Sequence, residues 1–114
     1  MTAEDLPRRR RLTRAAEIQA VLSGGTRRRT PRLEILWCSN DHGHPRLGVI
    51  TPRFGRTAVA RNQLRRRLRE QARRRLLPQL PALDIVIRAR PPAYTAVLAD
   101  LTRDLEQWRA GIVP

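Results

Sequence analysis

The stretch from Arg53 to Arg75 constrains this chain more than any other. It carries ten arginines and one acid, Glu70. It also keeps an apolar residue at every fourth position, from Ala60 through Leu64, Leu68 and Ala72 to Leu76. A helix turns about 100° per residue, so these side chains drift slowly and form one stripe. Arg65, Arg69, Asn62, Arg73 and Arg66 fall on the neighbouring arc, about 100° wide. The spacing predicts a helix over residues 58–77 that buries one face and keeps a cationic face outside. Pro78 and Pro81 close it.

Arg65–Arg69 and Arg69–Arg73 are like-charge pairs one turn apart, and each costs a few tenths of a kcal/mol in an isolated helix. A solvated face normally alternates signs instead. An anionic partner resolves the conflict, and Asn62 among the arginines adds a group that both donates and accepts. The 114-residue chain has a net charge of +14, and all 24 basic residues are arginine. Guanidinium matches phosphate with a flat donor fork and stacks on bases. The charge is +6 over residues 1–32, −1 over 33–52, +9 over 53–75 and zero over 76–114. The candidate polyanions are nucleic acid and an anionic membrane. The helix has no aromatic residue on its apolar stripe, and the core needs that stripe, so membrane docking is the weaker reading.

The remaining pattern predicts one α+β domain over residues 12–114, preceded by a flexible basic arm at 1–11. Thr13 is a candidate cap for a helix carrying Ala15, Ile18, Val21 and Leu22, stopped at Gly24–Gly25. Arg27, Arg28 and Arg29 form a basic turn or strand lead-in. Residues 33–39 and 47–51 read as short strands, and the turn residues Asn40 to Pro45 suggest a hairpin between them. Ile85, Val86 and Ile87 mark a strand over 84–89 buried on both faces. A last helix over 95–110 carries Leu98, Leu101, Leu105 and Trp108 on one face, and Gly111 stops it. The order suggests helices layered on one small sheet.

Gly55-Arg56-Thr57-Ala58-Val59-Ala60-Arg61-Asn62-Gln63-Leu64-Arg65-Arg66-Arg67-Leu68-Arg69-Glu70 resembles the signature of the bacterial ribonuclease P protein subunit, roughly G-x-A-V-x-R-N-R-x-K-R-x-x-R-E. The flanks agree: residues 12–24 resemble the family's first helix, 46–50 its strand before the motif, and 83–91 its last strand. The likeness covers about residues 8–110. It implies a two-layer α/β sandwich with a small four-stranded sheet, three helices and one parallel crossover through the arginine-rich helix. In the family that crossover is left-handed, against the usual rule.

The resemblance also implies a task. The family protein binds a catalytic RNA, and the pair removes the 5′ leader from precursor tRNA. The RNA performs the chemistry with Mg2+, held mainly by RNA and not by protein side chains. By position, Arg61, Asn62, Arg65, Arg66 and Arg69 match the motif residues that face RNA, and Arg53 matches a basic residue of the preceding loop. Arg73 joins them through its place on the arc. Ile18, Leu22 and Leu36 occupy positions that line the leader cleft, where the family often has aromatics. Gln63 stands where the second arginine of R-N-R is usual. Pro52 and Phe54 flank Arg53 in a loop that is usually lysine-rich.

The residues themselves offer no protein-borne catalytic centre. His42 and His44 read as turn residues without further ligands nearby. Cys38 reads as a small buried side chain, and Trp37 as core. Asp100, Asp104 and Glu106 read as a solvated helix face. The expected setting is cytoplasmic, with no membrane and no DNA partner. The second reading is a non-catalytic RNA-binding module, such as a ribosome-associated protein.

Overall fold

In the computed structural model, residues 6–112 are described. Three helices, α1 (Ala15–Gly24), α2 (Ala58–Arg75) and α3 (Leu98–Ile112), pack on four strands. The strands are β1 (Thr26–Arg29), β2 (Leu33–Ser39), β3 (Arg46–Ile50) and β4 (Leu83–Ala89), in spatial order β1-β2-β4-β3. β1–β2 and β2–β4 are antiparallel, and β3–β4 is parallel. The chain therefore crosses over through α2 between β3 and β4, giving the expected α+β sandwich.

β4 explains the order. Ile85, Val86 and Ile87 are all fully buried, so this strand needs a neighbour on each edge and cover on each face. Leu36 and Gly48 both register against Val86, one from each side. The expected β2–β3 hairpin is thereby overturned: β4 sits between the two strands. The 40–45 turn has hairpin chemistry, but it reverses the chain without pairing its arms.

Alternation sorts the sheet into two faces. Leu33, Ile35, Leu47, Ile85 and Ile87 point to α2 and α3, which supply Leu64, Leu68, Ala72, Leu76, Leu101, Leu105 and Trp108. Trp37 joins this core and meets Trp108 edge-to-face at 5.3 Å. The other face carries Leu36, Val86, Cys38 and Ile50 under Ile18, Val21 and Leu22 of α1.

Several local expectations are corrected. Of residues 6–11, placed in the basic arm, Leu6 is in the main core and Arg11 bridges to Leu47, while Arg8–Arg10 make a 3-10 turn in which Arg8 and Arg9 stay exposed. Residues 1–5 of that arm lie outside the described residues, as do 113–114. Thr13 does not cap α1; Arg14 holds the N-cap position without a side-chain cap. Residues 91–95 form a separate 3-10 turn, and α3 starts only at Leu98. Gly111 does not stop α3, which runs to Ile112. A Cβ at Gly111 would meet only the end of the exposed Arg28 side chain, which is free to move aside. Asp104 is not solvated. It is 1 % exposed and accepts hydrogen bonds from Thr30 Oγ1 (2.9 Å), Arg32 N (3.0 Å) and Arg32 Nη1 (2.8 Å). A buried carboxylate with three donors ties α3 to the start of β2.

A second buried pair ties β3 to β4. Arg46 Nε and Nη2 donate to the two oxygens of Asp84 at 2.9 and 2.8 Å. Asn40 Nδ2 donates to Asp84 Oδ1 at 2.8 Å, and Arg46 Nη1 reaches Glu17 of α1 at 3.1 Å. Burial pushes the Asp84 carboxyl up, but Arg46 and Asn40 more than offset this and hold it below its ordinary value. A folded-state value below the unfolded one stabilises the fold above the unfolded carboxylate range. That contribution is lost as pH falls below about 4. Asp84→Asn is expected to cost about 2–3 kcal/mol in urea unfolding at neutral pH, with a smaller loss near pH 3.

Candidate nucleic-acid interface

α2 begins where Thr57 Oγ1 accepts from the Ala60 amide at 3.1 Å. Its stripe of Leu64, Leu68 and Ala72 is buried in the main core. The core contact therefore fixes the rotation of the helix, and with it the direction of every arginine. Gln71, also buried, accepts from Thr102 of α3 at 3.0 Å and from Arg75 Nε at 3.2 Å.

The N-terminal half of α2 is organised by a residue that the sequence reading missed. Thr51 follows β3 and is buried. Its carbonyl accepts from Arg61 Nε at 3.3 Å, and its hydroxyl accepts from Arg65 Nη2 at 3.1 Å. Arg65 Nη1 also lies 3.4 Å from Asn62 Oδ1. Arg61, Asn62 and Arg65 thus form one tethered group, with most of each guanidinium's donor fork left over. Arg53, Asn62 and Arg66 are exposed, and Arg69 is partly buried. No periodicity signals Thr51, because its partners lie 10 and 14 residues away.

The C-terminal half differs. Arg73 grips Glu70 with Nη2 at 2.7 Å and Nε at 3.4 Å, and Arg74 adds a contact at 3.3 Å. The Arg73 hydrogen bond holds the Glu70 carboxyl below its ordinary value. Arg75 reaches Glu106 at 3.3 Å. The predicted arc is therefore split: Arg73 lies on it, but is engaged by the single acid of the stretch.

Ile18, Leu22 and Leu36 do come together, in the small cluster between α1 and the sheet. Ile18 and Leu22 keep partial exposure, whereas Leu36 is 1 % exposed and lies beneath them. The same sheet face holds a second group with no forewarning in the sequence. Glu34, 4 % exposed, gathers Arg88 at 3.0 Å, Arg29 at 3.3 Å and Arg27 at 3.6 Å. Register alone explains this, since Arg29 and Arg88 both oppose Glu34. Cys38 borders the cluster; burial, and secondarily Asp84, push its thiol up.

Among the described residues, no three His, Cys, Asp or Glu side chains gather as a metal site. No helix among them is long and apolar enough to cross a membrane. The chemistry on view is cationic: an arginine face on α2, and a row of guanidiniums beside the α1 cluster.

Comparison with known proteins agrees with this geometry. The family model for ribonuclease P matches residues 6–112. A ribonuclease P protein component of Beutenbergia cavernae is 37 % identical, over 96 % of this chain and 98 % of its own length. That of Mycobacterium avium is 35 % identical, over 90 % of each. The RNase P protein of Staphylococcus aureus, at 25 % identity, superposes with a TM-score of 0.82 over 91 % of this chain and 96 % of that one. With the family model spanning residues 6–112 and relatives matched over nine-tenths or more of the chain, the chain belongs to the ribonuclease P protein family.

Proposed function

We propose that this protein assists an RNA catalyst in removing the 5′ leader from precursor tRNA, by binding both the catalytic RNA and the leader. The observation that carries this is the Thr51-tethered group on α2. Arg61, Asn62 and Arg65 are held by one buried threonine and its helix neighbour, with Arg53 and Arg66 exposed beside them. Guanidiniums fixed in this way offer phosphate-binding forks at a reduced entropic cost. Arg69 extends the same face.

The leader is taken by the other face of the sheet. Ile18 and Leu22 give one apolar wall over Leu36, and the Arg27–Arg29–Arg88 row on Glu34 gives a cationic floor beside it. In this reading, leader contact depends on charge and shape more than on aromatic stacking within that cleft. Mg2+ is held mainly by RNA phosphates. Glu70, the acid closest to the α2 face, is engaged by Arg73 and Arg74, which supports that assignment. The chain's own contribution is to bind, orient and neutralise. The setting is the cytoplasm, and neither membrane nor DNA is a partner.

Two measurements test the reading. In the first, the protein is reconstituted with a bacterial ribonuclease P RNA and a precursor tRNA at low magnesium. Protein-dependent cleavage at the mature 5′ end is expected. Binding to the cognate RNA without gain in cleavage overturns the proposal in favour of a general RNA-binding module. The second reads the salt dependence of binding to the catalytic RNA. Arg66→Ala is expected to reduce the slope of log K against log salt by about one. Glu70→Gln is expected to tighten binding and steepen the slope by up to about one, because it removes the one negative charge that offsets the arginines of this stretch.

A further inference from the structure

Phe54 is the chain's single phenylalanine. Trp108 is fully buried and Trp37 packs against it, while Tyr94 is partly covered. Phe54 alone of these four aromatics is open, at 49 % exposure. It is also the one non-glycine with positive φ among the described residues, at 44°. L side chains other than Asn and Asp rarely adopt that region, so the backbone is strained to hold the ring outward.

The loop around it is built to keep that posture. Gly55 follows at φ 75°, and the Arg56 amide donates to the Arg53 carbonyl at 2.6 Å. The Tyr94 hydroxyl donates to the Pro52 carbonyl. The Phe54 and Tyr94 rings meet in a T-shaped arrangement at 6.3 Å, and Arg56 lies over the Tyr94 ring at 5.3 Å. Phe54 is thus backed by an aromatic ring while about half of its surface stays exposed. Exposed Arg53 and Arg56 flank it. Thr51, which tethers Arg61 and Arg65, lies three residues before it. A free aromatic surface with cations on both sides, continuous with an arginine face, fits one ligand chemistry: a flat, unpaired base attached to phosphates.

We propose that Phe54, supported by Tyr94 and flanked by Arg53 and Arg56, is a stacking platform for one unpaired nucleobase of RNA. This rests on the RNA-binding reading above and adds a contact that charge alone does not provide. Stacking on a π-face depends on the base, whereas arginine contacts depend on the backbone. The two are separable with one pair of probes.

The probes are a short single-stranded oligoribonucleotide and an abasic sugar–phosphate strand of the same length. The proteins are full-length wild type, Phe54→Leu and Phe54→Tyr. Leucine keeps an apolar contact with Tyr94 but has no ring; tyrosine keeps the ring. Phe54→Leu is expected to bind the base-bearing strand roughly 5- to 150-fold more weakly, the range for losing one base stack. Its affinity for the abasic strand, its salt slope and its thermal midpoint are expected to stay at wild-type values, and Phe54→Tyr is expected to retain most binding. Equal loss on both strands, or none, overturns the platform. Wild-type protein that binds neither strand overturns the RNA-binding reading itself, which is a distinct result. The source of the base is read in the assembled enzyme. Weaker binding of the variant to the catalytic RNA places the base there, and loss confined to leader-bearing precursor places it in the leader. Unchanged affinity for both overturns the proposal.

Discussion

Burial of β4 on both faces organises this molecule. Three consecutive β-branched residues, Ile85, Val86 and Ile87, are removed from water together. That is possible only for an interior strand covered above and below. β2 takes one edge and β3 the other, and the parallel match to β3 obliges the chain to cross the sheet between them. α2 is that crossover. Its leucine stripe is drawn onto Ile85 and Ile87, and the arginines go where the leucines cannot. The arginine face is thus a by-product of how the central strand is buried.

The acids divide the arginines into structural and outward-facing sets. Asp104 and Asp100 hold Arg32, Asp84 and Glu17 hold Arg46, and Glu34 holds three guanidiniums on the sheet. Glu70 and Glu106 engage the last turns of α2. Arg53, Arg66 and Arg67, nearer its start, have no ion pair among the described residues. Cationic density is therefore graded along one helix. The end next to the Thr51 loop presents charge, and the end next to α3 spends it on packing.

Periodicity made α2, β2, β4 and, from Leu101 on, the buried side of α3 readable, because those elements follow a single rule over many residues; Leu98, expected on that side, is 44 % exposed. It also put Trp37 in the core and Leu36 on the opposite face. The order of strands was not readable. The 40–45 turn speaks only for local geometry, whereas β4 claims its place by burial on two faces, a comparison across half the chain. Asp104 looked solvated because an acid usually is; its donors, Thr30 and Arg32, lie more than 70 residues away. Thr51 and Glu34 gave no signal either, because their arginine partners sit on other elements and are brought to them only by the crossover and the strand register. The motif residues of α2 were legible one by one, while the tether that orients them and the strain at Phe54 exist only in three dimensions.

The edge-to-face meeting of Trp37 and Trp108 has an optical consequence. Both indoles sit in the core between the sheet and α3, on the side away from α1 and its neighbouring guanidiniums. Intrinsic fluorescence therefore reports whether α3 is docked on β2, and the close contact gives the two transitions a means to couple. The molecule carries a built-in gauge of its own folding.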